Sequence, residues 1–413
     1  MLSRINNLLK TQTLKDSGVS LIGNSLGAVF TLITIILLGR VLSQEDFGIY
    51  TSFKNFFLLG ALLDFGYSQW LVAHLKSAKT SDESQKTSKA VSLSLITAGI
   101  AALLLLSLSP LRLKLIGSHN LLLYLVTIFG IVIAPLYKIG VSVFQARLDF
   151  IRMNIAFVAY FLSRLIILII IYSLFGLSSL SVATIHTFAF LLVIIYLYQQ
   201  LNLSITIKIP SKASLSKVFK FSSWLGLNQI IITLYGRVNI LLLTFYYTAK
   251  SVAVYGAADH FAAFFPAVTA SLASVAAPRF ARFNHQKDAR VYALKFFLFS
   301  VLISVGFLIV ALFAKPIITL AFASKYQNAI PILRVLALAN IPLLLSLAPV
   351  NKLIFYHKNT KIIFYTSSIQ LITLFAFSFY WLPQYTLLAP AYALLIANTV
   401  GFIMPLAYLW LKT

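Results

Sequence analysis

Long apolar runs separated by short polar breaks recur along the whole chain, and each run exceeds what a core helix of a soluble domain needs. With about 20 predominantly apolar residues taken as enough to cross a bilayer, twelve runs qualify: 18–41, 47–75, 90–110, 121–145, 153–175, 179–201, 217–246, 252–277, 291–314, 329–355, 361–382 and 386–411. The pattern predicts an all-α integral membrane protein of about twelve transmembrane helices, numbered here spans 1 to 12. The start of the chain is basic through Arg4, Lys10 and Lys15. The run that follows is too long for a signal-peptide core and ends in no small-residue cleavage pattern, so it is expected to be retained as the first span. The longest polar stretches, 76–89 and 202–216, are too short for a folded extramembrane domain, which places the function inside the bilayer.

Charge gives the orientation. An even number of spans puts both termini on one side. Twenty-two of the 33 lysines and arginines lie at the N-terminus, after even-numbered spans or at the C-terminus; seven lie on the other side (Arg40, Arg112, Lys114, Lys250, Lys315, Lys325 and Arg334). The positive-inside rule therefore puts both termini in the cytoplasm. The net charge of +24 would elsewhere suggest a nucleic-acid partner. Here the basic residues sit at the ends of apolar runs rather than along one polar face, and no nucleic-acid partner is expected.

The remaining composition mostly excludes. The chain is 60% hydrophobic and 10% charged, against roughly 25% charged in soluble domains. It has no cysteine, which removes disulfides and thiolate metal sites. Its six histidines show no metal-ligand spacing, although His260 stands next to Asp259. The phosphate-loop, zinc-hydrolase and nucleophile-elbow motifs are absent. A non-enzymatic protein without cofactor or metal is expected.

Four cations, Lys54, Lys138, Arg164 and Arg237, lie within the spans against two acids, Asp64 and Asp259. An ionisable group at membrane depth costs several kcal/mol unless it faces a wet cavity or a partner, so each is a functional candidate, and their balance suggests an anionic cargo. Arg237 stands in the most polar stretch of the spans, with Trp224, Asn228, Gln229 and Tyr235 before it and Asn239 after it. Arg164 lies near the centre of span 5, one turn after Tyr160. The forked guanidinium suits a phosphate or diphosphate, which makes Arg237 and Arg164 the first ligand candidates and Asn239, Asn228 and Tyr235 their polar support. Pairing of either arginine with Asp64 or Asp259 is the structural alternative. Lys138 follows Pro135 near the cytoplasmic end of span 4, where it lines the cavity or snorkels. Asp64 is a candidate proton or sodium carrier or a structural partner. Prolines 135, 266, 278, 342, 349, 390 and 405 interrupt spans and permit kinks that serve packing or hinge motion.

The two halves of the chain repeat weakly at an offset of 205 residues. Gly48-Ile49-Tyr50 and Ala253-Val254-Tyr255 each follow a short polar turn. This fits two parallel six-span halves, residues 1–201 and 217–413, joined by a cytoplasmic linker at 202–216. At the same offset Lys54 falls on Asp259, each one turn beyond its tyrosine and roughly 10 Å inside the outer end of its helix. Spans 2 and 8 are thus expected to face each other with Lys54 and Asp259 as an outer gate; local pairing or snorkelling of each is the alternative.

The run Leu38-Gly39-Arg40-Val41-Leu42-Ser43-Gln44-Glu45-Asp46-Phe47-Gly48-Ile49-Tyr50, the element Leu63-Asp64-Phe65-Gly66, the basic tail and the six-plus-six plan together resemble the polysaccharide-flippase (Wzx-type) branch of the multidrug/oligosaccharidyl-lipid/polysaccharide exporter superfamily. The resemblance covers essentially the whole chain. It implies a V-shaped, two-lobed transporter like the multidrug exporters of that superfamily, alternating between inward- and outward-facing states in a bacterial cytoplasmic membrane. It further implies translocation of undecaprenyl-diphosphate-linked oligosaccharide units to the outer leaflet for O-antigen, capsule or related glycans, coupled where needed to a proton or sodium gradient. A glycan polymerase and chain-length machinery would be the partners, besides membrane lipids. Family members often carry an acid in the span-7 stretch, where this chain has Arg237 and Asn239. A drug or cation exporter of the same superfamily would favour buried carboxylates over four buried cations. A membrane glycan polymerase or ligase would need the sizeable outer loop that this chain lacks, and a scaffold would have no use for buried charge.

Overall fold

The computed structural model describes residues 12–75, 80–207 and 226–411. Most of the 202–216 linker, the start of span 7 with Trp224, and Arg4, Lys10, Lys76, Lys79 and Lys412 lie outside the described residues. Ten helical spans are long and apolar enough to cross a membrane: Gly18–Val41, Asp82–Ser107, Leu121–Ala146, Phe150–Phe175, Ser179–Leu201, Ala249–Ala277, Gln286–Leu312, Ala329–Tyr356, Lys361–Gln384 and Thr386–Leu411. Two bent pairs, Gln44–Asp64 with Tyr67–His74 and Gly226–Tyr235 with Val238–Tyr246, bring the spans to twelve, in the expected order. No strand occurs among the described residues. Backbone groups in lipid need internal partners, and a helix supplies them within its own segment.

The chain divides into two compact units, residues 1–230 and 231–413. In the first, span 4 packs against span 3, span 6 and the 3-10 stretch Leu59–Asp64 of span 2. The contact with that stretch depends on Gly60, where a Cβ would lie 2.9 Å from both the Cα and the carbonyl oxygen of Ile131. Ser43 caps the start of span 2 by accepting from the Asp46 amide at 3.0 Å. Asp46 in turn accepts from the Ser179 amide at the start of span 6, also at 3.0 Å.

Span 2, expected over 47–75, bends by 45° between Gln44–Asp64 and Tyr67–His74. Phe65 (φ 43°) and Gly66 (φ 80°) are both left-handed, a conformation that ends a right-handed helix. Asp64 ends the first segment and its carboxylate reaches across the break: Oδ1 accepts from the Ser68 amide at 3.0 Å and Oδ2 from the Ser68 hydroxyl at 2.6 Å. Gly226, the first described residue of span 7, approaches this break closely, since a Cβ there would lie 3.1 Å from the Phe65 carbonyl oxygen. The division into units accordingly falls within span 7 rather than at the linker.

The helix of span 3 begins at Thr80, well inside the polar 76–89 stretch. Its polar turns are supported by Lys86 to Asp82 at 2.8 Å and by Arg147 Nε to Glu83 Oε1 at 2.6 Å. Pairs of this kind stabilise helix that no apolar face requires.

In the second unit, span 12 packs against spans 10 and 11 through a buried small-residue face of Ala389, Ala391, Ala393, Ala397 and Gly401. Small side chains let membrane helices approach where no hydrophobic force drives them together. Span 7 breaks by 55° at Gly236-Arg237. There the Arg237 amide donates to Leu234 O at 3.0 Å, and Arg237 takes φ −125° before the helix resumes at Val238.

Traces of the repeat are visible within each unit. Ser43 and Thr248, 205 residues apart, are both helix N-caps, and Tyr50 and Tyr255 are both buried. The breaks are not equivalent: the first half breaks in its second span and the second half in its first.

Candidate functional site

Arg164 is 2% exposed in the interior of the first unit. Its Nη1 lies 3.3 Å from His186 Nδ1, and His186 Nε2 lies 2.9 Å from the Tyr160 hydroxyl. Arginine offers donors only, so His186 Nδ1 accepts and its Nε2–H is directed at Tyr160. The guanidinium carbon stands 5.5 Å from the Tyr160 ring centre and 5.4 Å from that of Phe161, a cation-π arrangement. Phe53 and Phe57 present their rings edge-on to His186 at 5.4 and 4.8 Å. The field of Lys54 also reaches His186.

The polar atoms of this cluster are poorly matched. Arg164 Nε, Arg164 Nη2 and the Tyr50 hydroxyl are buried and make no hydrogen bond among the described residues. No carboxylate contacts the cluster among the described residues. Buried polar groups are nearly always satisfied, and exceptions call for an explanation such as function or an unseen ion. The chemistry that fits is an acceptor without donors, which an ionised phosphoryl oxygen provides.

Lys138 and Asp64 meet at the break of span 2. Lys138 Nζ donates to the Ala61 carbonyl at 3.1 Å and lies within the field of Asp64. Lys138 therefore points across to span 2, where it satisfies a carbonyl within the 3-10 segment, rather than along its own helix to the interface. Asp64, 1% exposed, caps the following helix.

In the second unit Arg237 sits at the break of span 7 and faces the charge of Asp259 in span 8. Asn239 is tied into the packing: its Nδ2 donates to the Tyr255 hydroxyl at 3.2 Å and to Pro390 O at 3.4 Å. Tyr235 donates to Asn398 Oδ1 at 2.6 Å, and Asn398 donates to Ala339 O at 2.8 Å. Asn228 is exposed. The polar stretch around Arg237 therefore serves two ends, with Asn239 and Tyr235 joining spans 7, 8 and 12 while Arg237 and Asp259 keep their charges near each other.

Sequence reasoning placed Tyr160 beside Arg164 but missed His186, Tyr50 and Ser68. His186 is the one histidine in a span without a charged residue, and only the packing of span 6 on span 5 brings it to the guanidinium. Ser68 stands four residues after Asp64, a spacing that a capping interaction across a helix break would have explained.

Residues 13–284, more than half of the chain, match the family described as polysaccharide biosynthesis protein. No curated protein matches the sequence. Among solved structures the fold is similar to lipid II flippase MurJ in an inward closed conformation, with a TM-score of 0.74 at 16% identity over 95% of this chain and 87% of that one. It is also similar to the MATE multidrug transporter DinF-BH (TM-score 0.65, 13% identity, 95% and 94% covered) and to an inward-facing multidrug resistance MATE family transporter of the MOP superfamily (0.63, 17%, 93% and 97%). At such identities the likeness is one of fold. The chain belongs to the polysaccharide biosynthesis protein family and is a multi-pass membrane protein whose fold is like that of lipid II flippase MurJ and of MATE transporters.

Proposed function

We propose that this protein is a flippase that carries undecaprenyl-diphosphate-linked oligosaccharide units from the cytoplasmic to the outer leaflet of a bacterial inner membrane, by alternating access and with both termini cytoplasmic. The product feeds assembly of an O-antigen or capsule-type glycan, with a polymerase and chain-length machinery acting downstream. The observation that supports this reading is the buried Arg164, whose Nε and Nη2 have no hydrogen-bond partner among the described residues. Membrane proteins keep such charges where the function needs them. Arg164, Lys54 and Lys138 of the first unit and Arg237 of the second are each candidate cations for the diphosphate, while Asp64 and Asp259 are candidates for gating or ion coupling. A lipid-linked oligosaccharide needs cations for its head and a wet path for its glycan, and its tail can stay in the bilayer. Both acids of the spans already face groups of the protein, Asp64 with Ser68 and Asp259 with Arg237. That arrangement favours an anionic cargo over a cationic drug.

The test is lipid extraction from cells lacking the gene, with leaflet accessibility measured on the same sample. Accumulation of the complete lipid-linked unit in the inner leaflet, with loss of the surface glycan, is the expected result. Intact surface glycan with new sensitivity to cationic drugs would replace this reading with drug export.

A further inference from the structure

Arg164 is held by a base rather than by an acid. Among the described residues no carboxylate contacts it, and the hydrogen bond it makes runs from Nη1 to His186 Nδ1, 3.3 Å away on span 6. The choice of partner has a chemical consequence. A carboxylate accepts from an arginine at two oxygens and cancels its charge, whereas a neutral imidazole offers one lone pair and no charge. His186 therefore fixes the guanidinium and leaves it cationic, with Nε and Nη2 buried and without a hydrogen bond among the described residues.

His186 is itself fixed. It is buried, its Nε2 stands 2.9 Å from the Tyr160 hydroxyl, and the rings of Phe53, Phe57 and Tyr160 meet it edge-on with centres 5.4, 4.8 and 5.7 Å away. Nδ1 accepts from an arginine only while the ring proton is on Nε2, and the Tyr160 oxygen accepts that proton. Tyr160 also flanks the guanidinium carbon, 5.5 Å from its ring centre, so one tyrosine supports both members of the pair. Tyr50, whose buried hydroxyl makes no hydrogen bond among the described residues, adjoins His186 with ring centres 6.4 Å apart. Packing span 5 on span 6 does not require such a network, because apolar residues at 164 and 186 would pack at lower cost.

We propose that His186 is the positioning residue of Arg164: it holds the guanidinium, without neutralising it, in the orientation that offers Nε and Nη2 to the phosphoryl oxygens of the cargo. This rests on the proposed function, in which Arg164 binds the diphosphate. The cluster is enclosed in this structure, and alternating access opens it to the cargo in another state.

Isosteric substitutions test the role. Asparagine and aspartate both place an oxygen near the position of a histidine Nδ1 and differ from each other in charge. Full-length protein in detergent is titrated with undecaprenyl diphosphate, and with undecaprenol, which has the tail but no phosphate, and binding is read by native mass spectrometry. His186→Asn should bind the diphosphate within about threefold of wild type, while His186→Asp and His186→Leu should each lose at least about tenfold, the size of one charge-assisted hydrogen bond. Undecaprenol binding should be the same in all. His186→Asp should melt at or above the wild-type midpoint, because the buried arginine gains a counter-ion, so its loss of binding is not a loss of fold. A purely structural histidine predicts the reverse, binding that follows the midpoint and survives in His186→Asp. That outcome, equal binding by the Asn and Asp variants, or wild-type binding of undecaprenyl diphosphate no tighter than of undecaprenol would each overturn the proposal. If His186→Leu fails to fold, the comparison of Asn with Asp decides alone. The flippase reading is decided separately by lipid accumulation in cells, so each can fail without the other.

Discussion

Replacing Arg164 by methionine should stabilise the first unit while abolishing transport. The substitution keeps an unbranched stem among Tyr160, Phe161 and His186 and removes the charge. Two buried donors, Nε and Nη2, have no partner among the described residues, and each orphan costs about 1–3 kcal/mol. Desolvation of the ion adds several kcal/mol more. Against this stand the contact with His186 Nδ1 at 3.3 Å and two ring contacts near 5.5 Å. The hydrogen bond to a charged donor is worth about 1.5–3 kcal/mol and each ring contact about 0.5–2 kcal/mol. The balance favours methionine by on the order of 2 kcal/mol, which corresponds to a rise of roughly 4–8 °C in the midpoint for a unit of this size. Thermal unfolding of the purified protein measures the shift, and restoration of the surface glycan in deleted cells measures function. A lowered midpoint would refute the energetic reasoning, because it would mean that the guanidinium is already compensated. Full glycan restoration would remove Arg164 from the transport site. A more stable, inactive variant is the signature of a residue kept for function at the expense of stability.

Three further outcomes are expected. Gly60→Ala should cost about 1–3 kcal/mol by overpacking against the span 4 backbone, whereas Gly99→Ala, with nothing within 4 Å of the new Cβ, should be neutral or gain up to about 1 kcal/mol; comparative melting checks both. Asp64→Ala should lose about 0.5–2 kcal/mol with the cap to Ser68. Asp64→Asn, which keeps an acceptor for the Ser68 amide, should retain transport if Asp64 is structural, and an inactive but stable Asp64→Asn would make it an ion carrier. Arg237→Gln and Asp259→Asn should be coupled by at least about 0.5 kcal/mol in a double-mutant cycle of melting midpoints, and strictly additive effects would show that the two charges do not interact.

The amino-acid sequence by itself determined the class of the protein, its twelve spans and the residues that carry charge into the membrane. These follow from composition and run length, because a bilayer imposes one solvent and one minimum length on every segment. Charge bias between connections gave the expected orientation for the same reason. Only the tertiary structure decided what each buried charge meets. Arg164 faces His186 from another helix, Lys138 reaches a carbonyl freed near the break of span 2, and Arg237 lies opposite Asp259. The breaks in spans 2 and 7 were equally illegible, since apolar run length is indifferent to a left-handed Phe65 or to an Arg237 at φ −125°. Helix packing selects which polar groups become neighbours, and a linear pattern of hydropathy contains the faces of each helix but not their pairing.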